Sequence, residues 1–472
     1  MNLKNQLKES QNNNVLSILE LAGNLAKQDG IEVYVVGGFV RDLIMGIPVN
    51  DIDLMTVGDG IQFARKLADE LGVKKIVPFK KFGTALIPNK SVQIEVATAR
   101  TESYTDDSRK PSTVVYTDLK GDLLRRDFTI NAMAMDIGPE TFGNITDPFG
   151  GIADIENKIL RTPLDPDETF SEDPLRMMRA AYFASKLEFD IENECRASMK
   201  MQASRIDIVS WERILDEFIK ILATKKPSVG LVILQKTGLM EIVFPEIHVM
   251  YGMEQTSEWH HKDIFAHTLQ VVDNAAKLTD KMEIRFAALV HDIAKPNTRR
   301  IDKKRGYTFH GHDAIGERML NKVARRLKLS NYLKDYLKKL TLLHLRPISL
   351  VKEIVTDSAV RRLMVSAGDD LDDLMILCKA DITTKNPNRV KRYLKNFEKV
   401  EEKMSNVVNR DTLKAFQSPV RGDEIMTICG LTEGRNVGKI KEAIEEAILD
   451  GLIDNTYEAA LKYLHEIKNS DF

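Results

Sequence analysis

The segment from residue 35 to residue 54, VVGGFVRDLIMGIPVNDIDL, constrains the fold more than any other part of the chain. It reads as an apolar strand, a turn at Gly37 and Gly38, the start of a helix, and a second strand that carries Asp51 and Asp53. Because side chains alternate along a strand, the two carboxylates share one face, about 6–7 Å apart. The glycines permit a tight turn and offer N–H groups to an anion at the helix N-terminus. An anion cradle beside a carboxylate pair favours a site for a metal-bound triphosphate.

Length and composition indicate a soluble, multidomain protein. A chain of 472 residues is too long for one hydrophobic core, and 29% charged with 43% hydrophobic residues is ordinary for a globular protein. No run of about 18 apolar residues occurs, so we expect no membrane-spanning helix. The polar N-terminal segment lacks the apolar core of a signal peptide, and the three cysteines lie far apart. We therefore expect a reduced, cytoplasmic protein.

The periodicity of apolar residues divides the chain into an α/β part and a helical part. Strand patterns occur in the part up to about residue 155, at 52–57, 84–87, 92–97 and 128–137. From residue 173 onward the pattern is almost wholly helical, with segments at 174–187, 211–223, 228–237, 267–278 and 314–328. Residues 101–121 are polar and lack periodicity, which predicts a mobile loop.

Two further motifs support the reading of the first. RRDFTINAM runs from Arg125 to Met133, and SEDPLRMMRAAYFA from Ser171 to Ala184. Together the three blocks resemble the class II tRNA nucleotidyltransferases, the bacterial CCA-adding enzymes and poly(A) polymerases. The resemblance covers about residues 30–250 and continues more loosely through an HD-type domain and a tail.

The resemblance implies a multidomain fold that begins with an α/β nucleotidyltransferase head like that of DNA polymerase beta. The expected domains are the head at 1–155, an all-α neck and body with the base-recognition and RNA-binding helices at 156–250, an HD-like metal-dependent domain at 251–390, and a helical C-terminal tail at 391–472.

The implied function is template-independent addition of C, C and A to the 3′ end of tRNA from CTP and ATP, with release of pyrophosphate. Poly(A) addition is the first rival, and CC-only or A-only addition would depend on residues 101–121. CCA addition is favoured because the chain lacks the basic, RNA-gripping extensions of bacterial poly(A) polymerases. An HD phosphohydrolase with a nucleotide-binding head and a non-catalytic RNA-binding protein are further alternatives. Both are disfavoured because the pair Asp51 and Asp53 is intact.

The catalytic chemistry requires neutralised negative charge and an attacking hydroxyl held in line. We predict that Asp51 and Asp53 hold two Mg²⁺ ions for this purpose. Glu95, in the strand pattern VQIEVATAR, is a candidate third carboxylate, although a lone strand glutamate is as commonly a surface residue. Arg41 follows the glycine turn on the first turn of the helix, where its guanidinium suits a phosphate and Asp42 can orient it.

The resemblance also assigns the nucleotide contacts. Gly38 and Arg41 would contact the incoming nucleotide, and its sugar and phosphates would meet Arg126, Asp127 and Asn131.

Base selection without a template requires side chains that imitate a Watson–Crick edge. Asp173 and Arg176 lie three residues apart on a predicted helix and so share a face. The carboxylate would accept from the exocyclic amine of cytosine or adenine, and the guanidinium would donate to the adjacent ring nitrogen. The pair matches the EDxxR motif of the family. The alternative is that the two side chains form an ordinary i,i+3 salt bridge and do not read the base. Arg179, one turn later, is predicted to reach the triphosphate.

A second candidate site lies in the helical part, where seven of the nine histidines fall between residues 260 and 344. His291 and Asp292 follow an apolar helix, and together with His267 and Asp381 they match the motif of HD-domain phosphohydrolases. Imidazole and carboxylate ligands suit a divalent transition metal. His310, His312 and His344 are candidates for a second metal. A domain that kept the fold and lost phosphatase or cyclic phosphodiesterase activity is the alternative.

Charge is unevenly distributed along the chain. Residues 295–346 contain 15 Lys and Arg against 4 Asp and Glu, in a chain whose net charge is only −2. This stretch is either a solvated surface or a patch that meets a phosphate backbone.

Overall fold

The structure, a computed structural model, describes residues 1–9, 13–49, 51–89, 92–105, 108–254, 263–303, 306–350, 356–384, 386–410 and 418–468. It forms two compact units, Met1–His248 and Val249–Phe472. Within these described ranges no helix combines the length and apolarity that crossing a bilayer requires.

The first unit begins with a seven-stranded mixed sheet and its flanking helices. Its helices are α1 (Lys4–Glu9), α2 (Asn13–Asp29), α3 (Gly38–Ile44), α4 (Gly60–Glu70) and α5 (Leu119–Leu124), with 3₁₀ turns at Lys80–Phe82 and Thr129–Asn131. Its strands are β1 (Glu32–Val36), β2 (Asp51–Val57), β3 (Val77–Phe79), β4 (Thr84–Pro88), β5 (Gln93–Thr98), β6 (Arg100–Thr105), β7 (Ser108–Tyr116), β8 (Ala134–Asp136) and β9 (Ile145–Thr146). The order across the sheet is β3-β4-β5-β2-β1-β8-β9, and β6 and β7 form a separate hairpin.

The rest of the first unit is mostly helical, as the periodicity predicts. It contains α6 (Gly151–Asn157), α7 (Pro166–Glu172), α8 (Leu175–Leu187), α9 (Asn193–Gln202), α10 (Trp211–Leu222), α11 (Pro227–Lys236), α12 (Leu239–Val243) and α13 (Pro245–His248), a 3₁₀ helix at Ala203–Ile208, and the short parallel pair β10 (Ile159–Leu160) and β11 (Asp190–Ile191). Helix α8 packs against α10 and α11, so its polar edge is held beside α10.

The second unit is helical apart from one small hairpin. Its helices are α14 (Ile264–Leu278), α15 (Met282–Val290), α16 (Lys295–Thr298), α17 (His312–Arg326), α18 (Asn331–Leu343), α19 (Arg346–Leu350), α20 (Asp357–Ala367), α21 (Leu371–Ala380), α22 (Pro387–Arg410), α23 (Gly422–Cys429), α24 (Arg435–Leu449) and α25 (Tyr457–Ile467), with a 3₁₀ turn at Gly368–Asp370 and the hairpin β12 (Arg300–Asp302) and β13 (Gly306–Thr308). Helices α23, α24 and α25 share a cluster of buried apolar side chains. The expected limit of the HD-like domain at residue 390 falls inside α22.

Two expectations for local structure in the head are wrong. The strand expected at 128–137 is present only as β8, because a 3₁₀ turn occupies Thr129–Asn131. The Thr129 hydroxyl donates to Asp154 on α6 at 2.6 Å, and the Asn131 amide bonds locally, donating to Asp127 at 3.0 Å. Such bonds compete with a sheet ladder.

Residues 101–121, expected to form a mobile loop, instead contain a pair of antiparallel strands, with a shift of register between Ser103 and Thr105, followed by a helix. Strands β6 and β7 pair from Arg100 opposite Tyr116 to Thr105 opposite Ser108, and α5 follows. The segment is rich in Thr, Ser, Val and Tyr, several of which favour strands.

Candidate functional site

Three carboxylates lie on one face of two adjacent strands of the head sheet. Strands β2 and β5 run parallel, and their register places Asp53 directly opposite Glu95. Asp51, Asp53 and Glu95 are all exposed, while their strand neighbours Ile52 and Ile94 are fully buried. The sequence-predicted pair and its candidate third member are therefore brought to one face. Carboxylate oxygens are the ligand type that a hard divalent cation takes.

The crowding of these carboxylates changes the acidity of one of them. Desolvation, followed by the charges of Glu95 and Asp51, raises the pKa of Asp53 to about 6, against an opposing effect of Arg126. Protons therefore compete for this site at a pH at which an ordinary aspartate is fully ionised.

This pKa predicts how metal dependence varies with pH. Below pH 6, the Mg²⁺ concentration that gives half-maximal CTP incorporation should rise about tenfold per pH unit, and above pH 7 it should stay constant. The sign follows from the raised pKa of Asp53: the metal-binding carboxylate is lost as pH falls through that value. The measurement is incorporation against Mg²⁺ concentration between pH 5 and 8.

The discriminating variant is Glu95→Gln. It removes a charge that raises the pKa of Asp53, so the break in the profile should move to lower pH. The triphosphate of CTP titrates in a similar range but would not respond to this substitution. A break that stays in place in Glu95→Gln would contradict the assignment to Asp53.

The glycine turn that precedes α3 is shaped by close packing. Gly37 has φ 72°, a conformation that favours glycine, and a Cβ at this residue would lie 2.7 Å from a terminal nitrogen of Arg126, which would have to shift. Arg41 lies on the first turn of α3, as predicted, but is only 3% exposed. Its guanidinium donates to Asp42 at 2.7 Å and to Asn131 at 2.6 Å. Direct contact of Gly38 and Arg41 with the nucleotide stays a prediction. In the structure the Arg41 guanidinium is bonded to Asn131 and Asp42.

The motif at 125–133 supplies a chain of ionic contacts that continues from Arg41. Asn131 bonds Asp127, and Asp127 accepts two bonds from Arg179 at 2.6 and 2.8 Å. These contacts outweigh desolvation and lower the pKa of Asp127, so it stays ionised. Phe183 lies between the guanidinium groups of Arg41 and Arg179, each 5.2 Å from its ring centre. Four residues predicted to contact the nucleotide are therefore joined in one chain of hydrogen bonds and ion pairs, in the order Arg41, Asn131, Asp127 and Arg179.

A neighbouring acid, Asp122, secures Arg125 and Arg126. It is fully buried and pairs with them at 2.6 and 3.0 Å. Both arginines line a cavity of about 510 Å³ in the first unit. Its lining also contains Arg100, Asp127, Asp173, Leu175, Arg176, Arg179, Arg213, Asp216, Glu217 and Lys220. With seven basic and four acidic residues, this cavity suits a polyanion with a polar base.

The base-reading pair lines this cavity, but its local geometry differs from the expectation. Asp173 precedes α8 instead of lying on it, and its carboxylate accepts from the Leu175 N–H at 3.1 Å. Arg176 bonds Glu172 at 3.0 Å and two backbone carbonyls. Pro174 is the N-cap of α8, so the helix begins two residues after Asp173. Asp173 and Arg176 therefore do not lie one turn apart on a single helix, as the i,i+3 spacing predicted.

The sequence reasoning missed the contribution of α10. Arg213 lies 3.7 Å from the Asp173 carboxylate, and Glu217 lies 3.8 Å from Arg179. Lys220 in turn bonds Glu217 at 2.7 Å. The available signal was the spacing of Arg213, Glu217 and Lys220 along one face of a strongly amphipathic helix.

The second unit gathers the predicted HD residues around a buried carboxylate. His267 lies on α14, His291 and Asp292 follow α15, and Asp381 follows α21. The Nε2 atom of His267 lies 3.3 Å from Asp292 and 3.1 Å from Asp381, and that of His291 lies 3.1 Å from Asp292. His312 and His344, at the start of α17 and after α18, approach the other Asp292 oxygen at 3.3 and 3.8 Å.

These ligands form two adjoining triads that fit metal ions. One contains His267, His291 and Asp381, the other Asp292, His312 and His344. The Nε2 atom of His291 and an oxygen of Asp381 are buried without a hydrogen bond among the described residues, as expected of atoms that face a cation.

The contacts of the Nδ1 atoms of the imidazoles also fit metal binding. The Nδ1 atoms of His291, His312 and His344 lie 2.9, 2.7 and 2.6 Å from backbone carbonyls, and that of His267 lies 3.1 Å from the Thr383 hydroxyl. A proton on Nδ1 leaves the Nε2 lone pair free for a metal. Burial lowers the pKa of His344 to about 4, so this imidazole is neutral at pH 7.

Charge in the cluster is balanced without metal by a proton and a lysine. Burial alone would lower the pKa of His267, but Asp292 and Asp381 raise it to about 9. Lys295, which the sequence reasoning did not single out for this site, lies 2.5 Å from Asp292. A bound divalent cation would displace the proton on His267.

One predicted histidine does not join the cluster. His310 is exposed, lies two residues before the start of α17 and belongs to neither triad. His260 and His261 lie outside the described residues.

Comparisons with known protein families match three successive parts of the chain. The family described as "Poly A polymerase head domain" matches residues 33–161, "Probable RNA and SrmB- binding site of polymerase A" matches 188–250, and "HD domain" matches 264–385. The head-domain match contains the carboxylate face, and the HD-domain match contains the histidine cluster.

Individual relatives extend the match over most of the chain. The "Multifunctional CCA protein" of Vibrio vulnificus (strain CMCP6) is 33% identical over 368 residues, which is 74% of this chain and 85% of the relative. A solved CCA-adding enzyme in an apo form has the same fold, with a TM-score of 0.66, 23% identity and 99% coverage of both chains. A tRNA nucleotidyltransferase solved with a primer tRNA and an incoming ATP analog is 25% identical, with a TM-score of 0.58, over 80% of this chain and 99% of its own. The chain therefore belongs to the class II CCA-adding enzymes.

Proposed function

We propose that this protein adds C, C and A to the 3′ end of tRNA, using CTP and ATP and releasing pyrophosphate. The observation that supports this most directly is the carboxylate face of Asp51, Asp53 and Glu95 in the same unit as the arginine-lined cavity. Membership of the family supports the substrate: a related tRNA nucleotidyltransferase was solved with primer tRNA and an ATP analog.

In this reaction the 3′ hydroxyl of the RNA attacks the α-phosphorus of the nucleotide. A new P–O bond forms, and the bond to the bridging oxygen breaks as pyrophosphate leaves. Asp51, Asp53 and Glu95 would hold Mg²⁺, which when bound neutralises the triphosphate and lowers the pKa of the attacking hydroxyl. Arg126 and Arg179, held by Asp122 and Asp127, would orient the phosphates.

Asp173 and Arg176 would read the base, with Arg213 as an additional group beside the Asp173 carboxylate. The Glu172 carboxylate and two carbonyls fix Arg176, so its remaining donor capacity points in a set direction. A fixed acceptor and a fixed donor reject bases that leave them unpaired.

Asp173→Asn is therefore expected to relax base choice as well as slow the reaction. An amide can both donate and accept, so it no longer requires the exocyclic amine of cytosine or adenine. We expect the ratio of UTP to CTP incorporation to rise about 10- to 100-fold, the size of one lost polar discrimination. The measurement is single-nucleotide incorporation with each of the four triphosphates.

The control variant is Asp207→Asn, an exposed aspartate outside the cavity lining. Arg176→Lys keeps the charge and removes the fixed guanidinium, so it should relax selectivity as well. A fall in rate with the UTP to CTP ratio unchanged in both cavity variants would show that these residues are structural.

The proposal is tested by incubating the protein with tRNA that lacks its 3′ terminal CCA, CTP and ATP, and sequencing the product ends. Addition of CCA that stops after three nucleotides supports it. A homopolymer of A would favour poly(A) addition, and products that end in CC or lack C would identify a partial activity.

A second, metal-dependent phosphohydrolase activity is favoured by the buried cluster around Asp292. Four imidazoles present Nε2 to two carboxylates, a ligand set that suits a divalent transition metal. The substrate class would be phosphate monoesters or cyclic phosphodiesters at nucleotide or RNA ends, with Lys295 beside the cluster as a phosphate contact.

The basic stretch at 295–346 is proposed to contact the RNA backbone. Part of its charge is internally paired, since Lys338 bonds Glu317 at 3.0 Å and Lys339 bonds Asp370 at 2.7 Å. The remaining cations extend along α17 and β12, where several are exposed.

A further inference from the structure

One edge of the head sheet exposes aromatic rings and lysines together. Strand β3 is the last strand of the seven-stranded sheet, and the turn that joins it to β4 carries Lys80, Lys81 and Phe82. Phe79 is 49% exposed and Phe82 is 38% exposed, and Tyr116 at the end of β7 is 69% exposed. We call Phe79, Lys80, Lys81, Phe82 and Tyr116 the edge surface.

Part of the edge surface is held by contacts with its own members and with the neighbouring Arg100 and Gly83. Lys81 lies 5.8 Å above the ring of Phe82, and Arg100 lies 5.6 Å from the same ring and donates to the Phe82 carbonyl. Gly83 lies against Tyr116, whose ring carbon would be 3.5 Å from a Cβ at this glycine. Phe82 and Tyr116 therefore both lie beside Gly83.

Arg100 connects the edge surface to the cavity, because it also lines the cavity with Arg125 and Arg126. The surface thus continues outward from the place where the incoming nucleotide is proposed to bind. A chain that extends from the reacting 3′ end would pass over such a rim.

The charge of this edge is strongly one-sided. From Leu71 to Ile94 the sequence contains five lysines and no acidic residue. Lys80 and Lys81 are exposed, and neither forms an ion pair with any residue that the structure describes. The complementary partner is a polyanion.

Edge strands commonly carry lysines that prevent aggregation, which would account for the charge alone. It does not account for three exposed aromatic rings, since exposed aromatics at an edge increase that hazard. Lysines interleaved with aromatic rings are typical of surfaces on which the bases of a single strand stack while its phosphates meet cations.

We propose that the edge surface binds the unpaired 3′-terminal nucleotides of the RNA primer by stacking on Phe79, Phe82 or Tyr116 and by phosphate contacts with Lys80 and Lys81. This inference rests on the proposed nucleotidyl transfer to RNA and adds the place where the primer lies. Stacking on ring faces is tolerant of sequence, so the surface accepts an end that changes as each nucleotide is added.

The first test is direct binding of a fluorescent single-stranded RNA of 12 nucleotides, measured by anisotropy without turnover. We expect Lys80→Glu/Lys81→Glu to raise Kd at least about tenfold and to reduce the salt dependence of binding, by about 0.7 in the log–log slope per lost phosphate contact. Phe79→Ala should raise Kd about 5- to 100-fold through lost stacking. The matched control is Lys8→Glu/Lys27→Glu, which makes the same charge change on α1 and α2 and should leave Kd within twofold.

The second test is steady-state incorporation of CTP into tRNA lacking its 3′ end. The edge variants should raise KM for the RNA while KM for CTP stays within twofold. Absence of RNA binding by the wild type, an unchanged Kd in the edge variants, or an equal loss in the control would overturn the inference. A wild type that binds the oligonucleotide and adds no CTP would instead overturn the proposed function. In that case the Kd values of the edge variants alone would decide whether the edge surface binds RNA. Concentration-dependent dimerisation that the edge variants abolish, with unchanged RNA affinity, would identify the surface as an interface between copies.

Discussion

Asp53→Asn is expected to reduce CTP and ATP incorporation by at least about 10³-fold, in line with the loss of a preorganised charge-stabilising group. Asp53 is exposed beside Asp51 and Glu95 and contributes nothing to the core, so the fold should be unaffected. Removing its charge should also relieve repulsion within the carboxylate face, and the metal-free variant should be at least as stable as the wild type near pH 7. The measurements are incorporation of labelled nucleotide at saturating Mg²⁺ and thermal unfolding. Asp51→Asn should behave alike.

The matched control is Asp69→Asn, an exposed aspartate on α4 away from the carboxylate face. It should retain full incorporation. If Asp53→Asn folds and keeps incorporation within tenfold of the wild type, Asp53 does not serve the metal and the proposed active site is wrong.

Asp292→Asn is expected to abolish any hydrolysis of 2′,3′-cyclic nucleotides or p-nitrophenyl phosphate while leaving CCA addition within about twofold. Asp292 is 1% exposed and is approached by four imidazoles and Lys295. Loss of an outer partner of a metal ligand typically lowers metal affinity or activity about 10- to 100-fold, and replacing Asp292 itself by a neutral amide should lower them much more. Independence is expected because the two sites belong to different compact units. Metal content of the purified protein and both activities are the measurements.

The same region offers its own control, because His310 is exposed and stands outside the cluster while His312 is inside it. His310→Ala should retain metal and hydrolysis, whereas His312→Ala should lose both. Two results would refute the assignment: no hydrolysis by the wild type with any of several divalent metals, or a defect in CCA addition by Asp292→Asn as deep as that of Asp53→Asn.

Sequence patterns that depend on near neighbours gave correct expectations. The alternation of a strand places Asp51 and Asp53 on one face, and the periodicity of helices located α8, α10, α11, α14 and α17 to within a few residues. These features are local, because a strand or helix repeats its geometry over adjacent residues. The histidine motif was likewise readable, since each ligand adjoins an apolar helix that had to be buried.

Tertiary structure alone decided which of these residues meet. Glu95 became a partner of Asp53 only through the parallel pairing of β2 with β5, and Arg213 reached Asp173 only because α10 packs beside α8. Likewise, His312 joined the cluster and His310 did not, although two residues separate them. Residues distant in the chain, or adjacent but oppositely directed, carry no local signal of contact. The sequence by itself therefore determined the family, most of the helices and strands, and the chemical types at the site, but not the 3₁₀ turn at Thr129–Asn131 or the paired strands β6 and β7. Packing between elements, which depends on the whole fold, determined the partners, charges and shape of that site.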